Sequence, residues 1–182
     1  MPMLEIEVPA RELFDEKTNT FKEIPAVTLR LEHSLVSISK WEMKWKKPFL
    51  TTEQKTSEET LDYIRCMSLN QNLKDDVYYA LGPKEIKKVN DYIEESRTAT
   101  TFSNVKKTGA HPPVITSEQL YFYMAANNIP FECQKWHLSR LLTLLQIAGI
   151  ENSPKKKMSR REVLSQNRAL NQARRKARKS KG

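Results

Sequence analysis

LEHSLVSISKWEMKWKKPFL, residues 31–50, is where a β reading of the chain has to give way to a helical one. Leu35, Ile38, Trp41 and Trp45 recur at helical spacing, and Pro48 ends the pattern because the residue before proline is driven out of the α region. A helix is therefore predicted, although Val36, Ser37 and Ile38 could extend the preceding strand. Upstream the periodicity is different. Leu4, Ile6 and Val8 alternate with acids, Val27, Leu29 and Leu31 alternate with Thr28 and Arg30, and DEKTNT lies between the two runs. Two alternating runs around a polar turn predict an antiparallel β-hairpin with one buried face, with Pro9 and Pro25 at strand ends.

Downstream, every periodic segment is helical. T-S-E-E at Thr56 and T-S-E-Q at Thr116 match the capping-box pattern, in which the third residue reaches back to the cap N–H. The first opens a helix with Leu61, Ile64, Met67 and Leu69 on its apolar side. A short helix near Asp75 or Asp76 carries Val77, Tyr78 and Leu81. Pro83 suits the first position of the next, in which Ile86, Val89 and Ile93 face inward. Periodicity lapses from Arg97 to Pro113 in a stretch of Ser, Thr, Asn, Gly and Pro, read as a mobile loop. The most apolar segment, FECQKWHLSRLLTLLQIAGI, follows the break at Pro130, with Gly149 as its expected C-cap. A third capping box, S-R-R-E, opens the last helix at Ser159. The expected organisation is a mainly α chain: an N-terminal β-hairpin (1–32), a helical region (33–96), a mobile loop (97–114), an apolar helical hairpin (115–153) and a detached basic helix (154–182).

The formal net charge of +9 is not spread evenly. From Lys155 onward there are twelve Lys or Arg and one acid, which leaves 19 bases and 21 acids in residues 1–154. The body is near neutral and the basic character belongs to an appendage. No apolar run approaches the ~20 residues of a membrane span, and MPMLEIEVPARE lacks the basic flank and apolar stretch of a signal peptide. Two cysteines make no disulfide framework, so a reducing, cytoplasmic setting is expected.

Chemistry-bearing patterns are sparse. Cys133 and His137, four apart on a predicted helix, share a face, but zinc needs three or four ligands, and Cys66, His33 and His111 stand singly. The expectation is a buried thiol beside a partly exposed imidazole. Phosphate-loop, nucleotide-binding and hydrolase motifs are missing, so no enzyme, cofactor, metal or small-molecule ligand is expected. In KWEMKWKKPF, lysines interleave Trp41 and Trp45. A stacking platform for single-stranded nucleic acid is one reading. Spacing of four better suits a helix face that packs inward or meets a protein, so both tryptophans are candidate partner contacts.

The terminal stretch SRREVLSQNRALNQARRKARKSKG has a narrow seam of Val163, Leu170, Ala173 and Ala177, interrupted by Gln166. That is too poor to build a core. Its amide-rich first half lacks the aromatics of base stacking, which favours docking on an acidic protein surface as a helix in a groove. Nucleic-acid binding through phosphates is the alternative. The candidate contacts are Arg160, Arg161, Leu164, Arg168, Leu170, Asn171, Arg174, Arg175 and Arg178.

Four stretches, LEHSLVSISKWEMKWKKPFL, SEETLDYIRCMSLNQN, IPFECQKWHLSRLL and MSRREVLSQNRALNQARR, together resemble small proteins of tailed bacteriophages and prophages encoded among the tail-morphogenesis genes, classed as tail-assembly proteins or chaperones. The resemblance runs from about Leu31 to the C-terminus, and the group has no defining catalytic or ligand motif. It implies a non-enzymatic protein of the host cytoplasm during phage assembly, or one retained in the virion. It also implies a tail structural partner such as the tape-measure or tube protein.

Overall fold

The computed structural model describes residues 3–15, 19–102, 114–152 and 160–178. Leu4–Val8 (β1) pairs antiparallel with Val27–Leu31 (β4), and Arg11–Asp15 (β2) with Thr20–Ile24 (β3). Partner residue numbers add to the same total in both pairs, so these are two stretches of one hairpin ribbon. It is interrupted where Pro9 and Pro25, which have no N–H to donate, stand opposite Ala26 and Ala10. The buried side changes at that interruption. In the first stretch Ile6, Val8, Leu29 and Leu31 are buried. In the second, the same side of the pleat carries the exposed Glu12, Phe14, Phe21 and Glu23. There the opposite side meets the body. Ile24 is buried, the Arg11 guanidinium donates to the Ala80 carbonyl at 3.0 Å, and Lys22 approaches Asp76 at 3.9 Å.

The helical prediction for residues 35–45 holds. Leu35–Trp45 (α1) starts at Ser34, whose hydroxyl and backbone N–H are both engaged with Ser37, and ends at Lys46 in the left-handed region (φ 55°). Ser57–Met67 (α2) has the Thr56 box as read: the Thr56 N–H donates to Glu59 Oε2 at 2.9 Å, and the Glu59 N–H to the Thr56 hydroxyl at 3.2 Å. Then come Asp76–Tyr79 (α3), Pro83–Glu94 (α4) and Ser117–Ala126 (α5), the last with the Thr116–Gln119 box in place. The box at Ser159 lies outside the described residues. Leu69, assigned by periodicity to the apolar side of α2, is exposed because the helix ends at Met67. The Leu69 N–H instead donates to the Arg30 carbonyl (2.8 Å), and Asn70 both accepts from the Arg30 N–H and donates to the Thr28 carbonyl. This covers the outer edge of β4, which would otherwise stand open.

Pro130 leads not into a long helix but into a 3-10 turn, Phe131–Lys135, and Leu138–Asn152 (α6) begins only after it. Cys133 and His137 consequently do not share a helix, as their spacing had suggested. Gly149 is not a C-cap either, since α6 runs three residues past it. Of the expected 97–114 loop, residues 97–102 and 114 are described and have no regular secondary structure, although the Arg97 N–H is fixed on the Ser139 hydroxyl at 3.1 Å.

The chain divides into two compact units, Met1–Gly149 and Ile150–Gly182. The first has one core, in which Leu29, Leu31, Leu35, Ile38, Ile64, Leu120, Met124 and Leu141 are all at or below 2% exposure. The second contains Arg160–Arg178 (α7). The molecule is mainly α with a small N-terminal antiparallel sheet. Among the described residues no helix is long and apolar enough to cross a membrane.

Candidate docking surface

Local spacing alone arranges the residues of α7. At 3.6 residues per turn, Arg160, Arg161, Leu164, Arg168, Asn171 and Arg175 fall within roughly 100° of arc. Six of the nine candidate contacts thus form one face. Leu164 sits in it at 52% exposure, in a shallow groove shared with Arg160, Arg161, Ser165 and Arg168. Leu170, also exposed, lies round the helix beside Ala173, and Arg174 falls between the two faces. The side chains of Val163, Gln166, Ala177 and Arg178 lie outside the described residues. No described carboxylate pairs with Arg160, Arg161, Arg168, Arg174 or Arg175. The result is a ridge of guanidiniums, unpaired by any described carboxylate, around an apolar side chain. Such groups favour bidentate pairing with carboxylate or phosphate.

Trp41 does not belong to any docking surface. It is 1% exposed, its indole N–H donates to the Glu59 carbonyl at 2.9 Å, and its ring meets Phe49 edge-on at 5.2 Å. As a partner contact it is corrected to a core residue. Trp45 is half-buried, and its indole N–H is taken by Asp62 Oδ2 at 2.8 Å. Of the lysines interleaved with the tryptophans, Lys44 pairs with Asp62 and Lys47 with Glu59, both carboxylates of α2. The hydrogen bond from Lys47, with that from the Thr56 N–H, lowers the Glu59 pKa from its ordinary value. Two of the lysines in KWEMKWKK therefore bind α1 to α2 and do not serve as a nucleic-acid platform.

The histidines that look scattered in the sequence meet in space. His33 and His137 are 3% and 5% exposed, with ring centroids 5.2 Å apart. His33 Nδ1 is hydrogen-bonded to the Tyr63 hydroxyl at 2.5 Å. His137 Nε2 lies 3.0 Å from the Tyr92 carbonyl, and because a carbonyl only accepts, that nitrogen carries the proton. His137 Nδ1 then accepts from Ser139, from the hydroxyl at 2.9 Å and the backbone N–H at 3.4 Å, and so caps the start of α6. Burial lowers the pKa of both imidazoles, that of His33 to about 3.

A cleft of about 410 Å³ opens above His137, lined also by Glu32, Tyr92, Arg97 and Arg140. Arg97 is paired with Glu95 at 2.7 Å and stacked on Tyr92 at 4.6 Å, and Arg140 is stacked on Trp136 at 4.7 Å. The arrangement is that of a buried joint. Both nitrogens of His137 are committed, which leaves none free as a general base. The Cys66 thiol, pushed up to about 11 by burial and by Asp62, is not a thiolate near neutrality. Among the described residues no three of His, Cys, Asp or Glu come together to hold a metal.

Three exposed aromatics escaped the sequence reading: Phe122, Tyr123 and Phe131, at 66%, 43% and 54% exposure on α5 and the 3-10 turn. Their signal was available, since aromatic residues recur through LYFYMAANNIPF on more sides of the helix than one buried face can take. Comparison with protein-family models, with curated proteins and with solved structures gives no match to this chain.

Proposed function

We propose that this chain is a non-enzymatic assembly or adaptor protein that binds other proteins, with the arginine face of α7 as its principal docking element. The observation that carries the reading is Leu164, half exposed within a face of four arginines that no described carboxylate pairs, on a helix whose unit has no buried residue among those described. A basic helix of this kind is marginal in water alone and gains most by seating its apolar residue in a groove with acidic walls. The exposed Phe122 and Phe131 support a protein-binding role for the first unit as well. Taken with the resemblance to tail-morphogenesis proteins, the client is a phage tail component such as the tape-measure or tube protein, met in the host cytoplasm during assembly.

Deleting residues 159–182 removes the helix and leaves the compact Met1–Gly149 unit whole. The truncated protein is expected to keep the thermal transition of the first unit, and to lose from its far-UV circular dichroism only the helical signal of α7, while losing co-purification with the tape-measure or tube protein from infected cells. Unchanged recovery of those components would sink the docking role. Arg161, Arg168 and Arg175 repeat every seven residues on one face, which also favours a second reading, contact with nucleic-acid phosphates. That reading requires an affinity that falls with log salt by roughly 0.9 per phosphate engaged. A duplex-DNA titration at two salt concentrations decides it, and no binding at low salt eliminates it.

A further inference from the structure

The β2–β3 stretch of the ribbon presents an exposed face that is unfavourable as it stands. Glu12 is the direct cross-strand partner of Glu23, and Phe14 of Phe21. Like charges directly opposite destabilise a sheet pair, and no described cation pairs with either glutamate. Arg11 and Lys22, the basic residues described on β2 and β3, are on the other side of the ribbon, engaged with Ala80 and Asp76. The two phenylalanine rings stack on each other at 5.1 Å and stay 50% and 69% exposed. An aromatic pair beside a pair of carboxylates is a surface built for a cationic group next to an apolar one.

Helix α7 of the same sequence has that pattern in complementary form, Leu164 with Arg161 three residues before it and Arg168 four after. Along the helix axis the leucine-to-arginine step is about 4.5–6 Å. Along the ribbon the step from the phenylalanine pair to the glutamate pair is two residues, about 6.8 Å. We propose that the Arg161–Leu164–Arg168 face of α7 in one copy docks on the Glu12, Phe14, Phe21, Glu23 face of the ribbon in a second copy, joining copies head to tail. Leu164 covers the phenylalanine pair, and an arginine relieves the repulsion between the two glutamates. The two surfaces differ, so the contact is heterologous and repeats from copy to copy. The contact joins three side chains of α7 to four of the ribbon, far fewer than the roughly 20–30 residues a side of a stable interface, so the association is weak and concentration-dependent. The inference needs no client protein and does not rest on the docking reading above.

Sedimentation velocity on the full chain, treated with nuclease, tests it. In about 50 mM salt the sedimentation coefficient is expected to rise with concentration, and in about 500 mM salt to stay near the monomer value, as screening shortens the reach of the charges. E12R/E23R and R161E/R168E each place like charges on both surfaces, and each alone is expected to associate at least about ten-fold more weakly. Mixed in equal amounts they restore association, because the intact helix of the first meets the intact ribbon of the second. All the changed positions are exposed, so both variants are expected to fold, and circular dichroism is the check on that. A monomeric wild type at every concentration overturns the proposal. So does a variant that associates like wild type, a mixture that stays monomeric, or an association abolished by the nuclease.

Discussion

Glu42→Ala is expected to destabilise the first unit by about 3–5 kcal/mol, enough to unfold a protein of ordinary stability at moderate temperature. Glu42 is 7% exposed, and each of its carboxylate oxygens accepts a backbone N–H at 2.7 Å, Oε1 from Phe49 and Oε2 from Ser117. The Ser117 N–H is the first of α5, so the carboxylate also meets the positive end of that helix. Phe49 is the hinge of the turn after α1, with its ring 4.0 Å from Tyr63 and 5.2 Å from Trp41. One side chain thus ties α1 to the turn that follows it and to a helix that begins 75 residues later. Alanine leaves two buried donors unpaired, at about 1–3 kcal/mol each, and adds a small void. Glu42→Gln keeps one acceptor oxygen and turns an amide toward the other N–H, so a loss of about 2 kcal/mol is expected. Urea denaturation at pH 7 measures both. An alanine variant within about 1 kcal/mol of wild type would show that the clamp is not what holds α5.

Glu42 also marks the limit of what the residue pattern discloses. The α2 and α5 starts were legible because a cap and its third residue are local and their bonding repertoire is small. The first ribbon stretch was legible from alternation for the same reason. Nothing local distinguishes Glu42 from a solvated glutamate on the polar side of an amphipathic helix. What buries it is Ser117, brought in by tertiary packing. The second ribbon stretch was hidden for a related reason: Leu13 and Ile24 alternate as weakly as Phe14 and Phe21, so periodicity could not choose which side the body would take. Trp41 and Trp45 are one turn apart, but only packing against α2 reveals that the first is sealed in the core while the second stays half-buried. The arginine face of α7 was open to reading, since helical spacing alone collects four arginines around Leu164. The apolar pattern of the stretch points instead to the seam of Val163, Leu170, Ala173 and Ala177. Spacing describes the ligand half of a contact and is silent about the surface that receives it.

The joint between His33 and His137 makes the fold acid-labile over a window that ordinary carboxylate titration does not reach. Burial lowers the His33 pKa from 6.5 to about 3, with the neighbouring His137 adding to the shift, and burial lowers His137 too. In the unfolded chain both imidazoles take up a proton near pH 6.5, whereas the folded protein resists, so the unfolded state binds more protons below that value. Stability is therefore fully present above pH 6.5 and is lost as the pH falls toward 3. Each fully resisting histidine contributes a slope of about 1.4 kcal/mol per pH unit, which puts the His33 loss between pH 6.5 and 4.5 at about 2–3 kcal/mol. Glu59 and Glu118, whose pKa values are lowered from 4.5, join only below that point, and Glu32, raised by burial, acts in the opposite sense. Tyr63, Tyr92, Arg97 and Glu95 are the other titratable groups around the pair. The tyrosines stay neutral across the window, and the Arg97 charge opposes a proton on His137. His33→Asn keeps a hydrogen-bonding atom near the Nδ1 position but cannot titrate. Urea midpoints taken from pH 7 to 4.5 are expected to fall steeply in the wild type and clearly less steeply in His33→Asn, whatever the variant's stability at pH 7. NMR titration of the imidazole protons supplies a second check. Equal slopes in the two proteins, or a folded His33 that titrates near 6.5, would mean that the burial of this pair is not what couples the fold to acid.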